Sequence, residues 1–551
     1  MNYKYTTRGS EFMKKLMITL LASAIVLSVA GCSNNKPESV SSLTLMEEIN
    51  DKNVFHSDPN ARLWYQVNAE YFADSNQDGK GDLQGLIQWL PYFSDSDPAD
   101  TDEDLNMTGL YLNDIISVDS SGSVLDYYQF QSGIGTPDDL KELCSRAVNY
   151  DIPVMINLDL SSCSVKNPDF EALVKEAESL GKDATLEQLS SDNASMFSIT
   201  DEQANSNWIQ LGTSPFYYLG FNGTEAPNYS QDSEAFRQKV RSIIEYYTSL
   251  GVQGFYIDNI NDFYSNSDEK NAEFSSWLAS TISEINPVAC VVFNTGDLKP
   301  EFSDIDGWIA QSRNAGVEGG LAKAATGTIT AKQLGDLLRN GQEHITYPAS
   351  YINTQENTLD LLKSAKKAST FKMLMALQIL SSGQIFIMAG DEIGLPSNEY
   401  DLVSEALDPE YRTASQDDSQ ARKDQPADEE IQDTMTFGSF SEQKEDGNSV
   451  LNFVLQAIRL RDAYDAISSG KIEVLDQMTS DQVLALRKKV ENSEVAVLFN
   501  LSDSEQKVNL SDLKLSGLPP EIGGVLLSGE EQIQLENDTL LLPAQSVCVL
   551  K

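Results

Sequence analysis

The chain has 551 residues, 84 of them acidic and 39 basic, for a formal net charge of −45. At roughly 150 residues per domain the length suggests two to four domains, and 40% apolar residues exclude a globally disordered chain. So acidic a surface repels phosphate and excludes nucleic acid as a partner, and only two histidines, His56 and His344, leave little room for His-based metal sites or Ser-His-Asp chemistry.

Residues 1–12, ending Gly9-Ser10-Glu11-Phe12, read as a cloning scar or misread start and carry no fold information. Residues 13–31 read as a secretion signal: Met13-Lys14-Lys15 is basic, and an apolar run follows from Leu16 to Val29. Val29-Ala30-Gly31-Cys32 resembles a bacterial lipobox, with Cys32 as the lipidated first residue of the mature chain. A polar tether over 32–55 follows. The expected location is the outer face of the cytoplasmic membrane, with a lipid anchor and no spanning helix. Cys144, Cys163, Cys290 and Cys548 make no CxxC or zinc spacing and read as small packing residues.

Strand-like apolar runs start at Leu63-Trp64-Tyr65-Gln66-Val67 and recur at Gly109–Leu112, Val154–Leu158, Gly254–Ile257, Val291–Phe293 and Gln384–Ile387. Helical patterns lie between them: Phe236, Val240, Ile243, Ile244 and Tyr247 share one face. Strands alternating with helices over residues 56–163 and 229–446 predict an α/β fold, a (β/α)8 TIM barrel. Residues 164–228 break the rhythm and read as a subdomain inserted after strand three, and 396–446 read as an acidic surface excursion. A linking helix is expected in 447–475, and short alternating runs over 476–551 predict a C-terminal antiparallel β-sandwich.

Asp74-Ser75-Asn76-Gln77-Asp78-Gly79-Lys80-Gly81-Asp82 places oxygen donors at alternate positions, which suits Ca²⁺. An EF-hand needs Glu at the twelfth position, where this loop has Gly85, so a calcium loop of another kind is expected. Its ligands would be Asp74, Asn76, Asp78, the Lys80 carbonyl and Asp82.

The stretch from Tyr65 through this loop resembles the first strand and calcium loop of the α-amylase superfamily, glycoside hydrolase family 13, in its oligo-1,6-glucosidase and α-glucosidase branch. Asp126-Tyr127-Tyr128, Gly251–Asp258, Gly390-Asp391-Glu392-Ile393-Gly394 and Leu498–Ser502 are similar to later motifs of that family. The resemblance implies a retaining glycosidase site. The nucleophile would be the Asp ending strand four, which Asp258 matches. The residues around it depart from the pattern. The orienting Arg is Tyr256. The acid-base Glu is Asn294, or Phe293 if the register slips by one. The Asn-His-Asp run after strand seven is Asn353-Thr354-Gln355, and the Asn-His pair after strand three is Ser161-Ser162. Asp297 stands nearby as a replacement acid, and Asp258 has the alternative of capping the following helix. Losing the general acid alone costs about 10²–10⁴ in rate.

The expectation is a catalytically impaired, lipid-anchored glycosidase homologue. It would bind α-glucan or another glycan, with Trp208, Tyr217, Tyr218 and Trp308 as stacking candidates, or support a membrane or cell-surface protein partner. An active glycoside hydrolase with an atypical site and a membrane-transporter accessory subunit are the alternatives.

Overall fold

The computed structural model describes residues 58–94, 104–264, 266–296, 298–311, 315–342, 348–353, 358–365, 367–395, 402–407 and 437–551, with the pair Glu38–Ser39. The lipidation candidate Cys32, the whole signal segment, Asp297, Thr354, Gln355 and most of 396–446 lie outside the described residues. Contacts separate Met1–Glu38 from Ser39–Lys551, and the account below concerns the second unit.

Eight parallel strands close into a barrel in chain order: β1 (Leu63–Asn68), β2 (Gly109–Asn113), β3 (Val154–Leu158), β4 (Gly254–Ile257), β5 (Cys290–Thr295), β6 (Trp308–Gln311), β7 (Pro348–Tyr351) and β8 (Gln384–Met388). Closure is by β8 against β1, with Ile385 opposite Leu63. Side chains alternate between two cores, as strand periodicity requires. On β5, Val291 and Phe293 face the helices, while Val292 packs inside the barrel. The interior is aromatic rather than aliphatic: Trp64, Tyr111, Tyr256, Tyr351 and Phe386 fill it. Trp64 stacks on Phe386 at 6.2 Å, and its indole N–H donates to Gln384 Oε1 at 2.6 Å. Gly109 makes room for that indole, since a Cβ there would sit 2.4 Å from the ring.

The helices start where their caps place them. Pro137–Ala147 opens with a Thr136–Asp139 capping box and Pro at its first turn. Glu234–Ser249 is capped by Ser233 and buries Phe236, Val240, Ile243, Ile244 and Tyr247, the face expected from its periodicity. Ala368–Ile379 is buried on nearly every side, because Val450–Ala463 packs over it.

The insertion after β3 contains helix Pro168–Ser179 and a small sheet in the order Ile199–Thr200, Tyr217–Leu219, Trp208–Gln210. The C-terminal region forms an antiparallel sheet from β9 (Lys471–Val474), β10 (Val483–Val490), β11 (Ser493–Asn500), β13 (Ile522–Leu527) and β16 (Ser546–Leu550), in the order β9-β10-β11-β16-β13. A second sheet holds β12 (Gln506–Asn509), β14 (Gln534–Glu536) and β15 (Thr539–Leu542). A core of its own, including Val483, Leu498, Leu540 and Cys548, is shared by the two. Among the described residues no helix is long and apolar enough to cross a membrane.

Candidate functional site

Parallel barrels gather chemistry at the C-terminal ends of their strands. Here that rim carries Asp114 after β2, Asn157 in β3, Asp159 after β3, Asp258 after β4, Asn294 in β5 and Tyr351 in β7. Tyr256 lies one pleat below Asp258 and is nearly buried. Its ring stacks on Tyr111 at 4.9 Å and 25°, and it meets Phe386 edge-on at 5.6 Å. Where the family resemblance implies an orienting cation, this chain has an aromatic stack.

Asp258 is held by an amide. Asn157 Nδ2 donates to Asp258 Oδ2 at 3.1 Å and to Asp114 Oδ1 at 3.3 Å, while the Asp114 backbone N–H donates to Asn157 Oδ1 at 3.0 Å. Burial pushes the Asp258 carboxyl up to about 7; the Asn157 bond opposes this, and the like charges of Asp159 and Asp114 add to it. The capping alternative for Asp258 is corrected: the next turn, Ile260–Asp262, is preceded by Asn259 in a left-handed conformation, and the Asp258 carboxylate faces Asn157 instead.

The two-register ambiguity on β5 resolves by alternation. Phe293 is in the outer core, and Asn294 accepts from the Tyr351 hydroxyl at 3.3 Å across the barrel end. Tyr351 also hydrogen-bonds with Tyr256, whose phenol is pushed far up, first by burial and then by Tyr351, Tyr111 and Asp258. An amide can donate and accept hydrogen bonds, but it has no proton to give a leaving oxygen.

Other candidates fall away from the mouth. Ser162 is buried and forms a backbone bridge with Asn228, and Ser161 donates to Asp159 Oδ1 at 2.9 Å through its N–H. Trp308, a stacking candidate, instead begins β6 and packs toward the barrel interior. Tyr218 is core: it meets Phe170 at 4.8 Å and its hydroxyl donates to the Glu225 carbonyl at 3.0 Å. Trp208 and Tyr217 keep part of their surface in the insertion.

Glu392 is fully buried, with Oε1 accepting from the Tyr65 and Tyr92 hydroxyls, each at 2.8 Å. Its neighbour Asp391 accepts from Asn353 Nδ2 at 2.7 Å. These acids brace the end of β8, and the Asn353 contact is one that sequence reasoning did not single out.

The Asp74–Asp82 loop is wrapped on its own donors. Asp74 accepts from the N–H groups of Asn76, Gln77 and Gly79, at 2.9, 2.6 and 2.7 Å. Asp82 Oδ1 caps helix Leu83–Gln88 through Gly85 N–H, and Oδ2 accepts from Ser75 and Asn76. Among the described residues no group of three or more His, Cys, Asp or Glu side chains is gathered to hold a metal. The donor chemistry, all hard oxygen, fits Ca²⁺.

A closed parallel barrel, an insertion after β3, a β-sandwich tail and carboxyls at the strand ends together define an amylase-type glycosidase architecture. The family model "Alpha amylase, catalytic domain" matches residues 66–286. The chain is 25% identical over 469 residues to Alpha-amylase 3 of Dictyoglomus thermophilum, covering 82% of this chain and 86% of that protein. It is 22% identical to Glucan 1,6-alpha-glucosidase of Streptococcus pneumoniae, covering 88% and 97%. Among solved structures it is similar to Eubacterium rectale Amy13B, with a TM-score of 0.77, 22% identity, and coverage of 94% of this chain and 99% of that one. Residues 66–286 thus match the α-amylase catalytic-domain model, and the chain is similar to α-amylase-type proteins over most of its length.

Proposed function

We propose that this is a lipid-anchored α-amylase-like protein of the cell surface that binds α-glucan or a related glycan at the barrel mouth without hydrolysing it. One observation carries the reading: the inward position on β5 where a proton donor is needed is Asn294, already engaged by Tyr351. Without that donor, and with Tyr256 in place of an orienting cation, Asp258 lacks, among the described residues, the partners that the family resemblance implies for glycosidic cleavage. The hydroxyl and amide groups at the rim remain suited to sugar hydroxyls, and the relatives' names connect the fold with glucans. Cys32 supplies the anchor in this reading, and mass spectrometry of the membrane fraction tests it through a lipidated N-terminal peptide starting at Cys32.

The test of the central claim is maltooligosaccharide and p-nitrophenyl-α-glucoside turnover by the chain from Ser33 onward, beside an Asp258→Asn control, with calorimetric binding in parallel. Binding with equal, background-level turnover in both proteins is the expected result. Turnover that Asp258→Asn abolishes would establish the active-enzyme alternative. No binding at all would move the search to a surface protein partner or a transporter, identified by affinity purification from membranes.

Calcium enters through the loop. Asp74, Asn76, Asp78, the Lys80 carbonyl and Asp82 would hold it, exchanging amide hydrogen bonds for metal bonds. Binding to the folded state alone raises Tm. Added calcium should raise it and a chelator reverse the rise; an unchanged Tm would remove calcium from the account.

A further inference from the structure

We propose that Asn157 is a positioning residue: its amide clasps the Asp258 carboxyl to Asp114, so that Asp258 serves as a hydrogen-bond acceptor for a ligand hydroxyl rather than as a nucleophile. This rests on the sugar-binding reading above and deepens it, by naming the group that reads the ligand and the residue that aims it.

Asn157 stands in β3 directly opposite Tyr256 of β4. Its side chain therefore reaches across both neighbouring strand ends. One amide group spans Asp114 after β2 and Asp258 after β4, with both N–H groups and the carbonyl engaged. Such a clasp fixes Asp258 Oδ2 and leaves Oδ1 as its remaining acceptor. The groups that face Asp258 from the packed elements are Tyr111 of β2, Asp114 after β2, Asp159 after β3, and Tyr256 of its own strand. None of these is a cation. Among these neighbours the amide is thus the group that favours the charged carboxylate against burial and two like charges. A neutral clasp also suits a neutral polyol, because it orients a lone pair without forming a competing ion pair.

The experiment follows the titration of Asp258 by carboxyl NMR of aspartate-labelled protein, the resonance assigned by its loss in Asp258→Asn. Asn157→Leu keeps the side-chain shape and removes the donors without adding a charge, and Asn157→Ala removes the clasp. Both should raise the Asp258 midpoint by about one pH unit, the size of a hydrogen bond to a charged group. The midpoint for maltooligosaccharide binding should move with it, and affinity at pH 7 should fall about fivefold. An unchanged Asp258 midpoint, with only Tm lowered, would make Asn157 structural and overturn the proposal. If Asn157→Ala does not fold, Asn157→Leu decides alone. Wild-type protein that binds no sugar while the midpoint still moves would overturn the sugar reading and the hydroxyl-acceptor role, and leave Asn157 as an electrostatic brace of Asp258.

Discussion

At the scale of single residues, Asp258 links stability to pH. Its folded-state value is about 7, against an ordinary value of 3.8. The folded protein therefore binds the proton more tightly than the unfolded chain does, and stability is lost as pH rises from about 4 through 7. Replacing the carboxyl by an amide removes that loss. Asp258→Asn should be more stable than the parent at pH 8, by about 4 kcal/mol, and no more stable at pH 4. Denaturant unfolding at both values checks it, and equal differences at the two would show that Asp258 does not titrate in this window. The residue scale is also where legibility was most uneven. Asp258, Tyr256 and Asn294 could be placed from the sequence because each stands at or near the end of an apolar strand, at a position that the family resemblance marks. Asn157 could not, because its role is a contact between strands 101 positions apart, and no local spacing announces it.

Among the elements, the six strands read from apolar runs are all present, lengthened by up to a few residues at their ends. The two missed strands are short and weakly patterned. Trp308–Gln311 and Pro348–Tyr351 have four residues each, and Pro-Ala-Ser-Tyr offers no β-branched run. Their neighbours supply what their composition lacks, since barrel closure pairs them on both sides. The helix Val450–Ala463 carries a further burden that its amphipathic pattern hides. Arg461 is fully buried, and its guanidinium donates to the carbonyls of Ile379, Ser381, Ala61 and Gly383. Nearby, Lys488 is also buried and donates to the carbonyls of Leu380 and Ile467. Cutting Arg461 back leaves several carbonyls without donors in a dry seam. Arg461→Leu should cost about 3 kcal/mol or more, read as a shift of the denaturant midpoint; a loss under about 1 kcal/mol would mean that water replaces the guanidinium.

For the molecule as a whole, the sequence was most informative about architecture and least about use. Barrel, insertion and sandwich follow from alternating periods and from motifs that build turns. The chemistry is harder to read because residues at the mouth can depart from the motifs that the resemblance implies and still keep the barrel closed. Tyr256 shows this: it sits where a charged side chain would orient Asp258, yet it packs into the aromatic interior and contributes to the core. Fold-level likeness and active-site chemistry are therefore separate questions in this chain.

The pairing of β8 with β1 has a temporal meaning. Trp64 meets Gln384 across 320 positions, and Arg461 reaches Ala61 across 400. A growing chain cannot shut its ring until the last strand has emerged, nor brace the base until the linking helix follows. Until then the nascent polypeptide carries unpaired strand edges and waits on partners not yet made. Such a sequence stays threadable late into its synthesis, and whatever escorts it in that interval handles an open sheet rather than a finished barrel.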